Sequence, residues 1–394
     1  MLTSRHMPTE PEETPMNRHR ELQAYTLKEI AHLKVHGRTT GRLAPLTLFW
    51  TASGIELNAT GSELWMDVEA DYRTYEPWIS VLINGAPVAR QMVTAGRRRI
   101  CVFRGMNPDA VKNVRIVKDT QAMSADPGCV LHIHGVESDG DFLPVRARPY
   151  KIEFIGDSIT SGEGAIGARA ETDWIPMWFS AVLNYTALTA DALDAEYRVL
   201  SQSGWGVLTG WDNNPRTNMP EYYEQVCGLL TGGKNEALGA FERNDFAAWQ
   251  PDIVVVNLGT NDGGAFHSPE WRDEATGERH KQRLNEDGTF NAEDLAAFER
   301  AAEQFLGKLR ACNPKAHIVW AYGMLGTPMM PAIRRAVDAH ARRTGDRNVS
   351  VFELPGMTDE TVGARSHPGP AAHEAAAKAL VPYLRNVLEQ RTRS

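Results

Sequence analysis

From Leu46 to about Leu143 the apolar positions fall in short runs, broken by turn residues and mixed with polar ones at a period near two. Residues 46–50, 54–57, 63–68, 78–83, 100–103, 114–117 and 130–133 read as strands on this pattern. Asn84-Gly85, lying between Ser80-Val81-Leu82-Ile83 and Val88-Ala89, marks a hairpin, because both residue types accept a positive φ. Regular short strands with few helical periods predict an all-β sandwich or jelly roll over residues 41–148. Arg146-Ala147-Arg148-Pro149 marks its end. Residues 1–40 form a tail and lead-in; 1–16 are polar and carry Pro8, Pro11 and Pro15, a composition expected to stay disordered.

After Pro149 the rhythm changes. Apolar runs at 150–155, 197–201, 253–258, 317–322 and 349–353 predict strands. They alternate with helical patterns at about 177–193, 331–343 and 370–389. Between them Leu295, Phe298, Ala302, Phe305, Leu306 and Leu309 recur at helical spacing until Asn313-Pro314 stops the helix. Strands alternating with helices predict an α/β domain over 149–394, with a parallel sheet covered on both faces. In such sheets ligands sit beyond the carboxyl ends of the strands. Residues 206–244 and 263–291 are longer than ordinary connections and rich in turn residues, which marks them as functional or mobile loops.

Charge and cysteine usage narrow the classes. A formal net charge of -8 argues against a nucleic-acid partner, which would favour a basic face. No stretch approaches the ~20 apolar residues of a membrane span. The first residues lack the charged and apolar regions of a secretory leader. Cys101, Cys129, Cys227 and Cys312 are scattered without metal-type spacing, so reduced thiols in a cytoplasm are expected.

Chemistry concentrates at three points. Gly156-Asp157-Ser158-Ile159-Thr160 follows the apolar run 150–155. Gly259-Thr260-Asn261-Asp262 follows 253–258. Arg365-Ser366-His367-Pro368-Gly369 lies just before the last helical stretch. Alone, Gly-Asp-Ser is as consistent with a plain turn and a serine helix cap as with catalysis. The ordered set points to a hydrolase: a serine hydroxyl becomes a nucleophile when a histidine takes its proton, and a free imidazole titrating near ~6.5 both accepts and returns one. Asp157 and Asp262 read first as short carboxylates that tie their turns, with Asp157 also a candidate substrate contact. Glu163 and Asp173 lie in the loop after the serine, within reach of substrate. His132 and His134 alternate on one strand and lack a third metal ligand, so they read as a packed or surface pair. Trp174, Trp178, Trp205 and Trp211 flank the motif loops; flat rings suit sugars, though most tryptophans are core. Trp205 and Trp211 are the candidate substrate contacts among them.

Over residues 150–394 these motifs resemble the SGNH (GDSL-like) hydrolases. The resemblance implies a flavodoxin-like domain with Ser158 as nucleophile and His367 as base. Ser203-Gly204 matches the second block, which offers the Gly204 backbone N–H. The Ser158 and Gly204 amides and the Asn261 side chain would then form an oxyanion hole. No metal or organic cofactor is implied. The histidine block of this family usually reads Asp-x-x-His, and here Ala364 stands at the aspartate position. A main-chain carbonyl near Ala364, or Asp359 folded back, would orient His367 instead. An all-β domain ahead of such a domain is similar to carbohydrate esterase family 2, which implies removal of acetyl groups from xylan- or mannan-type oligosaccharides. Two readings stay open beside it: an esterase or lipase-like enzyme for other short-acyl esters, and a carbohydrate-binding protein with a decayed site. The short link at 146–149 predicts a fixed β-domain that walls the cleft or mediates self-association into a homo-oligomer.

Overall fold

The computed structural model describes residues 21–393, so the polar stretch 1–16 lies outside the described residues. In chain order the first domain runs β1 (Gln23–Thr26), β2 (Lys34–His36), β3 (Leu46–Thr47), β4 (Gly54–Ala59), β5 (Glu63–Asp71), β6 (Trp78–Ile83), β7 (Ala86–Met92), β8 (Gly96–Arg104), β9 (Lys112–Lys118), β10 (Val130–Ser138) and β11 (Phe142–Leu143). These strands pair antiparallel in two sheets. One is ordered β1-β10-β5-β8 with β3 also on β10; the other is ordered β11-β4-β9-β6-β7 with β2 on β4. Strict alternation along β5 sends Leu64, Met66, Val68 and Ala70 inward. They meet Ile55 and Leu57 of β4, Ile79 and Val81 of β6, and Val114 and Ile116 of β9 in one core between the sheets. The β6–β7 hairpin turns at Asn84 (φ 51°) and Gly85 (φ 83°), as the dipeptide predicts. Two strands, β1 and β2, lie ahead of residue 41, in the part expected to be lead-in; at four and three residues they are too short to show a period.

The second domain runs β12 (Tyr150–Gly156), α1 (Ser158–Ser161), α2 (Tyr185–Ala192), β13 (Ala195–Ser201), α3 (Met219–Tyr222), α4 (Gly233–Ala237), β14 (Ile253–Asn257), α5 (Thr260–Ala265), β15 (Trp271–Arg272), β16 (Arg279–His280), α6 (Ala292–Cys312), β17 (His317–Tyr322), α7 (Met330–Thr344), β18 (Val349–Glu353) and α8 (Pro370–Arg393). Its sheet is parallel throughout, ordered β13-β12-β14-β17-β18. Every residue of β14 is buried, because helices cover both faces. Val254 and Val256 pack with Phe298, Phe305 and Leu309 of α6 and Ile333 of α7. Ile253 and Val255, one residue out of phase, pack with Ala187 of α2 and Leu380 and Leu384 of α8. The helix expected over 177–193 is shorter. Asn184 accepts the Thr186 N–H at 2.9 Å and so begins α2 there, with only a single 3-10 turn at Pro176–Trp178 before it.

The strand order reverses between β12 and β14, which opens a crevice at their carboxyl ends. The two domains meet beside it through buried polar bonds. Arg38 is fully buried; it donates to Glu153 Oε1 at 3.1 Å and to the Gln225 carbonyl at 3.3 Å. Glu153 Oε2 also accepts from the Tyr223 hydroxyl at 2.6 Å, so the buried carboxylate is fully engaged. Trp50 Nε1 donates to the Val226 carbonyl at 2.6 Å. The four cysteines are free, and among the described residues no helix is long and apolar enough to cross a membrane.

Candidate active site

Local geometry at the end of β12 is dictated by Gly156. A Cβ there would stand 2.0 Å from Thr160 Oγ1 and 2.9 Å from the Asn257 carbonyl oxygen, so only glycine lets the strand turn this tightly into α1. Asp157 caps that helix, accepting the Ile159 N–H at 3.0 Å. Ser158 is its first residue, where no preceding turn of helix supplies a carbonyl to its N–H. The Ser158 hydroxyl lies 2.9 Å from His367 Nε2. On the far side of the ring, Nδ1–H donates to the Arg365 carbonyl at 2.8 Å. That bond fixes the tautomer and leaves the Nε2 lone pair facing the serine. Gly164 (φ 76°) makes room for the histidine, since a Cβ there would come within 2.6 Å of His367 Cβ.

Asp359 does not take part. Its side chain is 85% exposed and pairs with Arg169 at 3.0 Å. The carbonyl that orients His367 belongs to Arg365, while the Ala364 carbonyl accepts the His367 backbone N–H at 3.1 Å. Arg365 (φ 58°) and Ser366 (φ 55°) are consecutive non-glycine residues in the left-handed region, and this turn aims the carbonyl at the ring. Such conformations cost on the order of 1–3 kcal/mol each and persist where surrounding contacts hold them.

Gly204 follows β13 in a left-handed turn (φ 81°). Among the described residues its N–H donates to no protein acceptor, which leaves it free for a ligand oxygen. Asn261 sits on the first turn of α5, past the end of β14. One Nδ2 hydrogen goes to the Trp205 carbonyl at 2.8 Å; the other is held only by Asp157 Oδ2 at 3.4 Å. Asp262 accepts the N–H groups of Val207, Leu208 and Thr209 at 2.9, 2.8 and 3.3 Å, tying the loop after Gly204 to α5. Burial pushes the Asp262 carboxyl up to about 6 despite those donors. Burial likewise drives the Asp157 carboxyl up to about 7, against the pull of the Ile159 N–H, with the Asp262 and Glu163 carboxylates adding to the rise.

Ser158, Gly204, Asn261 and His367 thus converge on one cavity of about 520 Å³. Residues 154–375, over half of the chain, match the GDSL-like lipase/acylhydrolase family. The chain belongs to this family. Its fold matches that of "An Acetyl Xylan Esterase (Est2A)" from Butyrivibrio proteoclasticus, with TM-score 0.92 and 47% identity, covering 93% of this chain and 99% of that one. It is 25% identical to an acetylxylan esterase / glucomannan deacetylase of Cellvibrio japonicus over 361 residues, which is 91% of this chain and 89% of the relative. It is also 25% identical to the cellulase/esterase CelE of Acetivibrio thermocellus over 346 residues; that match takes in 86% of this chain and spans 37% of CelE.

The walls of this cavity differ from expectation in several places. Asp157 is fully buried beneath Ser158 and does not line the cavity, so it is not placed to touch a substrate there. Trp205 lines the cavity but packs into the core against Tyr222, ring centroids 5.4 Å apart. Trp211 lines it with 55% of its surface exposed. Trp174 also lines it; Trp178 and Asp173 do not. His132 and His134 sit far away in the sandwich, bonded to Thr47 at 3.0 Å and Glu69 at 2.7 Å, and no metal-holding cluster exists among the described residues.

Several wall residues escaped the sequence reading altogether. Tyr75, Met123, Ser124 and Ala125 reach the cavity from sandwich loops that carry no motif. Gln121, fully buried behind them, accepts at Oε1 from Ser203 N (2.8 Å), Ser203 Oγ (3.0 Å) and Ser161 Oγ (2.8 Å). It thereby holds the residue before Gly204 from across the domain boundary. Glu163, expected within reach of substrate from its place in the loop after the serine, does line the cavity, buried and paired with Arg365. No sequence signal announces Tyr75, Met123, Ser124, Ala125 or Gln121, because each acts through a long-range contact.

Proposed function

We propose that this protein is a serine esterase that removes acetyl groups from xylan- or mannan-type oligosaccharides. The observation that carries the reading is the relay Ser158 Oγ, His367 Nε2, His367 Nδ1, Arg365 carbonyl, with steps of 2.9 and 2.8 Å, opening on a cavity lined by Gly204 and Asn261. Ser158 Oγ bonds to the acetyl carbon as its proton passes to His367 Nε2. The carbonyl electron pair moves onto oxygen, within the turn that offers the Gly204 N–H and the Asn261 carboxamide. Collapse breaks the bond to the sugar oxygen, which takes the proton back from the imidazolium. Water repeats the sequence on the acyl-enzyme and releases acetate. The substrate class is supported by the names of the relatives, which act on acetylated xylan and glucomannan, and by the exposed face of Trp211 at the cavity mouth. Action on oligosaccharides inside a reducing compartment belongs to the same reading, on the support of four free thiols.

The deciding experiment is a panel of acetylated xylo- and manno-oligosaccharides set against longer acyl esters, run with wild type, Ser158→Ala and His367→Ala. Wild type should favour acetylated sugars, and each variant should lose kcat by roughly 10⁴-fold or more while keeping its fold. Preference for long acyl chains would replace the substrate reading, and near-normal turnover by either variant would remove the mechanism.

A further inference from the structure

The left-handed pair Arg365 and Ser366 needs an explanation, because nothing in the side chains of arginine or serine favours it. Three contacts hold Arg365 in place. Its N–H donates to the Glu171 carbonyl at 2.7 Å, its Nη1 to the Thr172 carbonyl at 2.9 Å, and its Nε to Glu163 Oε1 at 2.8 Å. Glu163 is itself fixed, with its N–H on the Ser158 carbonyl at 3.0 Å and its Oε2 accepting from Trp174 Nε1 at 3.3 Å. The same Oε1 that binds Arg365 lies 3.8 Å from His367 Nε2.

We propose that the Glu163–Arg365 ion pair is the functional substitute for the absent aspartate. It locks the backbone turn whose carbonyl orients His367, and it sets a negative charge beside the imidazole. The proposal rests on the esterase reading above. A carbonyl fixes the tautomer but carries no full charge to stabilise the imidazolium that forms during attack. Glu163 supplies that charge on the Nε2 side. The guanidinium holds the carboxylate at 3.8 Å, too far to take the proton from Nε2, so the serine keeps its 2.9 Å contact. The remaining charged or titratable neighbours do not replace it. Asp157 lies beneath the nucleophile with its oxygens engaged by the Ile159 N–H and Asn261. His373 of α8 is kept neutral, its value pushed down to about 3 by burial, with His367 adding. Removing Glu163 alone would leave a guanidinium unpaired beside the ring and disfavour its charged form. Both residues are positioning residues for His367.

The test uses the full chain, with kcat, KM and the pH profile of kcat/KM measured on a chromogenic acetate. Glu163→Gln should lower kcat roughly 100-fold, the lower range of acid–base contributions, with KM within about threefold. The acid limb of its profile should move lower, since the ring loses a nearby carboxylate. Arg365→Met should also lower kcat but move the limb upward, because the carboxylate is then unpaired. The double variant should lose less than the sum of the two single losses. A Glu163→Gln enzyme within threefold of wild type in kcat, with its limb unmoved, overturns the proposal. If that variant fails to fold, Arg365→Met decides: its side chain is 31% exposed, and unchanged kcat and limb there overturn the proposal equally. A readout independent of activity is the imidazole nitrogen spectrum of His367. A single Nδ1–H tautomer in wild type that becomes mixed in either variant supports the pair; an unchanged tautomer in both counts against it. Absence of ester hydrolysis by wild type would sink the esterase reading, and the tautomer spectrum would still decide the pair.

Discussion

Asp157 and Ser158 are adjacent, yet one is sealed and the other faces the cavity, because the helix start turns consecutive side chains in different directions. Sequence reading assigned Asp157 its turn-tying role correctly and its substrate contact wrongly, since a motif states order along the chain and not depth. The buried carboxyl has a consequence for stability. Its folded value of about 7 lies above the ordinary carboxylate range, so between pH ~4 and ~7 the native state holds more protons than the unfolded one. The contribution is full below that window and is lost as pH rises through it; Asp262 adds in the same direction. Thermal midpoints measured from pH 4.5 to 7.5 should therefore fall less steeply with rising pH in Asp157→Asn than in wild type. Identical slopes would show that Asp157 ionises normally. The orienting carbonyl was legible only as a neighbourhood near Ala364, because positive φ at an arginine leaves no trace in composition.

At the level of elements, the buried sheet was the most legible part. Strands of a covered sheet appear as largely apolar runs, and 150–155, 197–201, 317–322 and 349–353 lie on the strands observed, while 253–258 overruns β14 by one residue. The candidate site residues follow from those strands: Ser158 past β12, Gly204 past β13, Asn261 past β14. What failed was short or locally capped structure, such as β1, β2 and the onset of α2. Because Asp262 anchors the loop after Gly204 to α5, removing the neighbouring carboxamide should leave the scaffold in place. Asn261→Ala is thus expected to lower kcat by roughly 10²–10³ with little change in KM, the effect of one deleted oxyanion donor. Steady-state kinetics check it; a rise in KM alone would make Asn261 a substrate grip.

For the molecule as a whole, a β-rich domain ahead of the α/β domain was readable from the change of rhythm after Pro149, and a sandwich walling the cleft was one of the two roles expected from the short link at 146–149, but the residues that form that wall were not readable. Gln121 makes that contribution testable. Gln121→Met preserves the side-chain length and removes the acceptor for Ser203 N, an unpaired buried group costing ~1–3 kcal/mol. It should lower kcat about tenfold or more with KM nearly constant, whereas Gln121→Glu, which keeps an oxygen there, should retain more activity. Equal, near-normal kcat in both would mean that the sandwich only supports the fold. The placement of Tyr75, Met123, Ser124 and Ala125 on sandwich loops has a further consequence for how such an enzyme diversifies. One wall of the cavity is encoded by a module that carries none of Ser158, Gly204, Asn261 and His367. Substitutions there are able to reshape the cavity while those four residues stay where they are.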